Sequence, residues 1–245
     1  MIRTVLLTAT ALAIAAPAAT QDLADPAVHS PDLYRITMIR AAPGQWYEAK
    51  AIIEGLGEQG TTAADGCAIP FRLRHNQGAQ WDFMLLQPVG SYADYFAKSC
   101  EASEWCTALE AHADHESDWF ARGPAVAEMK ARVSASGLYL LEMFKARAEM
   151  KPELYDSRAR ENAIFQEFDM ATNTLWYGEM GADFDVMTIG TFANWPAFGA
   201  HMSTGTAEEW DARARTHGYD GSGDMSPQLR SFLTGHEDTF AVKMK

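Results

Sequence analysis

The sequence predicts an α+β fold built from two similar units in one chain, and three recurrences predict it. Tyr34-Arg-Ile-Thr-Met-Ile-Arg40 returns as Tyr139-Leu-Leu-Glu-Met-Phe-Lys145, 105 residues later. Trp81-Asp-Phe-Met-Leu-Leu86 returns as Phe184-Asp-Val-Met-Thr-Ile189, 103 residues later. Glu104-Trp105 with His112 returns as Glu209-Trp210 with His217, again at 105. Order is kept and the offset barely moves. Two such units can pack as a pseudo-dimer around a shared interior.

The elements of the first unit follow from local chemistry. Leu33–Arg40 alternates as a strand, and Pro43-Gly44 ends it. Trp46, Ala49, Ile53 and Leu56 then fall at helical spacing. Gly57 and Gly60 stop that helix, and a polar loop runs through Ala64-Asp65-Gly66. Ile69–His75 and Gln80–Gln87 read as strands joined by the Asn76-Gln77-Gly78 turn. A short helix over Ser91–Lys98 carries Tyr92, Tyr95 and Phe96, and a second helical stretch covers Ser103–His112.

The second unit repeats this order. A strand at Gly137–Lys145 leads to a helix from Pro152, where proline suits the first turn, to Met170. Strands at Thr174–Glu179 and Asp183–Thr191 flank the turn Met180-Gly181-Ala182. Helices follow at Trp195–Met202 and Thr206–His217, and Asp238–Lys243 is a last strand. Asp118-Trp-Phe-Ala121 is its counterpart in unit one, each preceded by His-Glu, although that stretch could equally be helical. Strand, helix, strand, strand, helix, strand is the split βαβ, or ferredoxin-like, order. A sheet with helices on one face only leaves its other face to be covered, so the two sheets are expected face to face. The units are placed at residues 33–135 and 136–245.

The N-terminus reads as an address. Arg3, the apolar run Val5–Ala16 and the small-residue site Ala16-Pro17-Ala18 make a signal peptide over residues 1–18. A flexible lead-in with Pro26 and Pro31 occupies 19–32. The expected location is therefore periplasmic or secreted, with no membrane insertion after cleavage. A net charge of −13 disfavours nucleic acid and anionic lipid surfaces as partners. Three cysteines, Cys67, Cys100 and Cys106, allow one disulfide in an oxidising compartment. We favour Cys100–Cys106, with a bridge to Cys67 or no bridge as the alternatives. No Cys-x-x-Cys pair, phosphate loop, dinucleotide fingerprint or Gly-x-Ser-x-Gly elbow occurs.

With Leu33–Arg40, Pro43-Gly44 and the Trp46 helix, then Trp81–Gln87 running into Ser91-Tyr92-Ala-Asp-Tyr-Phe96, the chain resembles the dimeric α+β barrel superfamily in a tandem, single-chain form. Pro152 and Trp195 mark the same layout in unit two. It looks most like NIPSNAP-type and antibiotic-biosynthesis-monooxygenase-type members, over Leu33 to Lys245. The resemblance implies a single-chain pseudo-dimeric α+β barrel. It also implies a range of activities: cofactor-independent monooxygenases, lactone isomerases, haem degraders and chlorite dismutase-like haem enzymes.

The residues themselves fix no reaction. Glu142, a carboxylate among apolar strand neighbours, is the first choice for a proton-handling group, and His75 accompanies it. The plainer reading of Glu142 is a strand-edge residue paired with an arginine. Arg35, Arg72 and Arg74 could hold a carboxylate or a haem propionate, or simply line a solvated strand face. Trp176 and Tyr177 could form aromatic wall, on opposite strand faces. His201 is the candidate haem ligand, matched by Lys98 in unit one. Asp82 and Asp185 recur and suggest a shared structural task. Asp220-Gly-Ser-Gly-Asp224 alternates oxygen ligands with glycine but lacks the pattern of a calcium loop. No metal is assigned. The expected partner is a small apolar or aromatic molecule, in an interior rich in Trp, Phe, Tyr and Met. No resident cofactor is assigned, haem being the one the resemblance brings in. A homo-oligomer is compatible with this reading. The expected activity is binding of such a molecule, with a cofactor-independent monooxygenase or isomerase, or a haem-binding protein, as the alternatives.

Overall fold

The computed structural model describes residues 23–56, 71–77, 80–97 and 104–244. In chain order the elements are α1 (Pro26–His29), β1 (Asp32–Ala41), α2 (Trp46–Glu54), β2 (Phe71–Gln77), β3 (Phe83–Gly90), α3 (Tyr92–Ala97), α4 (Glu104–Glu110) and β4 (Ala113–Gly123). The chain continues through α5 (Val126–Ala135), β5 (Leu138–Ala146), α6 (Lys151–Glu167), β6 (Thr174–Gly178) and β7 (Val186–Phe192). It ends with α7 (Trp195–Met202), α8 (Ala207–Thr216), α9 (Ser222–Ser231) and β8 (Leu233–Lys243). The signal peptide, the first four residues of the lead-in, Cys67, Cys100, Lys98 and the Ala64–Gly66 loop lie outside the described residues, so the disulfide expectation does too. The rest of the lead-in is ordered, as α1 with Asp25 capping it and then the start of β1, because Pro26 suits a first helical turn.

The eight strands close into one antiparallel barrel in the order β1-β3-β2-β8-β5-β7-β6-β4. Read from β4, the first half runs β4-β1-β3-β2. Read from β8, the second runs β8-β5-β7-β6, the same spatial order. The expected face-to-face pair of sheets is thus one continuous sheet. Its seams are edge pairings, His75 opposite Ala241 between β2 and β8, and Ala121 opposite Gly178 between β4 and β6. Closure removes the exposed edges that two separate sheets would carry.

Strand alternation puts Tyr34, Ile36 and Met38 inside, with Tyr139, Leu141 and Met143 across from them. Phe71, Leu73, Met84, Leu86, Trp119, Trp176, Met187 and Ile189 complete that core. The outer face is apolar too, because helices cover it. Ala49 and Ile53 of α2 pack on Ile39, Phe83 and Leu85, and Leu154 and Tyr155 of α6 pack on Phe144, Leu175 and Val186.

The duplicated aspartates have duplicated jobs. Asp82 accepts from the Ala41 N–H and Asp185 from the Ala146 N–H, each at 2.8 Å. Both amides sit at register shifts, between Arg40 and Ala41 and between Lys145 and Ala146. The carboxylates satisfy donors that the bulges take out of the ladder. His112 and His217 also serve packing: one binds Gln45 at 2.8 Å, the other Glu167 at 2.7 Å. Asp118–Ala121 is strand, not helix, and pairs with β1 as Asp238–Ala241 pairs with β5. That register offsets the strands by 120 residues, so His236 stands where Glu116 does, and the two His-Glu pairs are one residue out of step. Asp220–Asp224 leads into α9, where Asp211 accepts from Ser222 N and Oγ.

Gly123 is required by close approach. A Cβ there would lie 2.3 Å from the Trp176 ring. Trp176 is fully buried, meets Tyr34 edge-on at 4.8 Å, and donates its indole N–H to Thr174 Oγ1 at 2.9 Å. It plugs the middle of the barrel.

Candidate functional site

Beyond that plug the barrel opens at the end where β1 and β5 finish and β4 and β8 begin. The opening is a cavity of about 560 Å³. Its apolar lining is duplicated: Met38 with Met143, and Trp81 with Phe184. Trp119 joins them, set edge-on to Phe184 at 5.7 Å. His115, Ser117, Lys145, Asp183 and Glu237 supply polar atoms around the lining, and Lys145 is paired with Asp183 at 2.8 Å. The size suits a ligand of two to three fused rings, within the range of small-molecule sites.

Two donors in this wall stand out. Trp81 and Trp119 are almost fully buried, and neither indole N–H has a hydrogen-bond partner among the described residues. A buried N–H without an acceptor costs about 1–3 kcal/mol. Both nitrogens are closed off from the open cavity, so a ligand oxygen recovers that cost only where its binding turns one of the rings toward it.

The residues singled out from sequence lie elsewhere. Trp176 is inside the barrel but buried below the cavity. Tyr177 faces outward, beneath the Lys151 ammonium at 4.0 Å. His75 reaches the cavity only through Trp81, whose ring it meets at 5.0 Å, and burial lowers its pKa. Arg35 is on the outer face with its fork on Asp118, at 3.0 and 2.6 Å. Arg72 is buried on the outer face of β2, desolvation lowers its pKa, and Glu54 counters that. Arg74 shares that face, opposite Phe83 and Val242. The three arginines therefore do not converge with His75. His201 packs edge-on to Phe165 and Phe192 outside the sheet, so it does not fit as a ligand to a haem in the interior.

Glu142 is also on the outer face, beneath α6. Thr188 Oγ1 donates to its Oε2 at 2.7 Å, and the His236 imidazole is 4.0 Å from its Oε1. Burial raises its pKa, and Glu161 adds to the shift while Arg158 opposes it. Glu142 and His75 thus lie on opposite faces of the sheet and cannot act on one substrate.

Trp81, Trp119, Met38 and Met143 appear in the sequence only as repeat or strand residues, and neither they nor His115 is marked there as a site. The usable signal was the pair of apolar recurrences near strand ends, Met38 with Met143 and Trp81 with Phe184.

No protein-family model matches the chain, and no curated protein matches it. Solved structures do. An anthrone oxidase-like protein aligns with a TM-score of 0.56 at 9% identity, over 87% of this chain and 92% of that one. A candidate monooxygenase from Lactobacillus acidophilus NCFM gives 0.53 at 9%, over 87% and 94%. Another from Fusobacterium nucleatum gives 0.53 at 10%, over 87% and 92%. At this identity the likeness shows the fold alone: a mixed α+β protein with an eight-stranded antiparallel sheet.

Proposed function

We propose that the chain is an exported small-molecule-binding barrel made of two tandem ferredoxin-like units, 33–135 and 136–245. Its ligand is a flat aromatic with at least one acceptor oxygen, a quinone or aryl ketone. The cavity at the barrel mouth carries the reading: two indole N–H groups without partners in a wall of Trp, Phe and Met. Sulfur and aromatic edges favour a ring, and the N–H groups favour its oxygen. Support for export is the N-terminal pattern Arg3, Val5–Ala16, Ala16-Pro17-Ala18.

The test is quenching of tryptophan fluorescence by anthraquinone, naphthoquinone and anthrone. Saturable quenching is expected, and Trp81→Phe and Trp119→Phe should each weaken binding by about 5- to 10-fold, the worth of one hydrogen bond. No saturation with any of the three, or unchanged affinity in both variants, would sink the proposal.

A second reading is favoured by His115, which lines the same cavity. The imidazole there is placed to take a C–H proton from an anthrone, while the indole N–H groups receive the resulting enolate oxygen. Dioxygen would then oxidise the carbanion to the quinone, with water as the other product. Oxygen uptake with anthrone that falls by about 100-fold or more in His115→Ala would support this step. Binding without oxygen uptake would leave a carrier.

A further inference from the structure

The two halves of the barrel solve the same electrostatic problem differently. In the first half, Asp118 on β4 stands opposite Thr37, and Glu116 opposite Ile39. Arg35 supplies the cation. Its guanidinium grips Asp118 and lies 3.9 Å from Glu116, and Thr37 also donates to Asp118. In the second half the same register puts Asp238 opposite Glu142 and His236 opposite Phe144. The strand position of Arg35 is held there by Leu140. The strand-borne cation is gone, Glu142 stands where Thr37 does, and His236 stands where Glu116 does, so two carboxylates now face an imidazole.

The atoms left in its place make a ligand set. His236 Nε2 is 2.7 Å from Asp238 Oδ1 and 4.0 Å from Glu142 Oε1, and one donor atom from each of the three falls within 4.8 Å of the others. The imidazole stacks on Phe144 at 4.5 Å and 9°, which fixes its plane. Thr188 holds Glu142 by Oε2, which leaves Oε1 free to point at His236. These are the outer contacts that orient metal ligands. Of the groups packed above, Arg158 is engaged with Glu161 at 2.8 Å. Despite Arg158, burial and Glu161 still raise the Glu142 pKa. The Asp238 carboxylate raises the pKa of His236. The cluster is reached from solvent, with Asp238 about half exposed.

We propose that Glu142, His236 and Asp238 bind a divalent transition metal of the Zn²⁺ class, one imidazole nitrogen and two carboxylate oxygens, with coordination positions open to solvent. One nitrogen and two oxygens suit zinc better than calcium or magnesium, which take oxygen ligands. Bonds of about 2.0–2.2 Å need donors about 3.3–3.5 Å apart, so the exposed Asp238 carboxylate must swing out slightly. The ligand atoms lie on the outer face, and His236 also borders the cavity, so the aromatic-binding titration is run on the metal-site variants as a separate readout.

The experiment is calorimetric titration of the EDTA-stripped, dialysed protein with ZnCl₂, repeated with CaCl₂ and MgCl₂. One Zn²⁺ site tighter than about 100 μM is expected, with proton release on binding, since the ligands must shed their protons. His236→Gln and Asp238→Asn, both at solvent-reached positions, should each weaken it by at least about 10-fold. Leu140→Arg, which restores the first half's built-in cation, should weaken it as much while circular dichroism shows the fold intact. A wild-type affinity for Zn²⁺ weaker than about 1 mM would overturn the assignment. Zinc binding unchanged in both His236→Gln and Asp238→Asn, or a preference for Ca²⁺ or Mg²⁺, would overturn it as well.

Discussion

Removing the carboxylates of Asp82 and Asp185 tests whether the repeat is a physical duplication. Each accepts from one main-chain N–H, that of Ala41 or Ala146, at 2.8 Å, where the strand register shifts. Alanine leaves that N–H without its acceptor in a part-buried place. Orphaning a buried donor costs about 1–3 kcal/mol, and partial access of water to these sites sets the expectation at about 1–2 kcal/mol. The sites are in opposite halves with no shared partner, so the double variant should lose about 2–4 kcal/mol, the sum within about 0.5 kcal/mol. Asparagine keeps an acceptor oxygen of the same reach, so Asp82→Asn and Asp185→Asn should lose less than about 1 kcal/mol. Urea unfolding, with midpoint and slope fitted separately, measures all five variants. Two outcomes would refute the reasoning: alanine variants within about 0.5 kcal/mol of wild type, or asparagine as damaging as alanine. The first would mean water satisfies the bulges, and the second that charge rather than hydrogen bonding matters. The second bulge includes Lys145, which lines the cavity, and the first lies two and three residues past the lining residue Met38, so the alanine variants should also bind aromatic ligands more weakly.

Three further outcomes are expected. Gly123→Ala drives a methyl to 2.3 Å from the Trp176 ring, and thermal melting should show a loss of about 3 kcal/mol or more, or no folded protein. The Glu116 carboxyl is pushed up from the usual 4.5 to about 6 by burial and by Asp118. Its raised value means the folded state holds the proton longer than the unfolded chain, so its contribution to stability falls as pH rises through about 4.5 to 6. Glu116→Gln should therefore match wild type below about pH 4.5 and gain up to about 1 kcal/mol above about pH 6.5, discounted for solvent screening; chemical denaturation at both pH values measures the difference. Met143→Trp fills the cavity mouth, and aromatic quenching should become unsaturable while the melting temperature stays within about 5 °C of wild type; retained binding would place the ligand elsewhere.

Sequence alone determined the repeat and most element positions, because strand alternation, helical spacing and turn residues are local. It also marked Asp82 and Asp185 as structural, since one chemical role twice in one chain leaves a recurring acid at a fixed place. Helices α1, α5 and α9 were not foreseen: α1 fell in the lead-in, α5 follows the last expected strand of the first unit, and α9 carries Pro227 and starts with Ser222-Gly223.

Which strand face looks inward was beyond sequence. Alternation sorts Tyr34, Ile36 and Met38 from Arg35, Thr37 and Ile39, but helices make the outer face apolar as well, so hydropathy does not choose. The same ambiguity misdirected Glu142. Its neighbours are apolar, yet they are the floor under α6 and not the wall of a cavity. Barrel closure likewise depended on edges far apart in sequence, β2 with β8 and β4 with β6, whose pairing is a matter of register and curvature. Only that closure brings Trp81, Trp119 and Phe184 around one opening, and only the β5–β8 pairing sets Glu142 beside His236 and Asp238. Local pattern decides what each segment becomes, and long-range pairing decides which side chains meet.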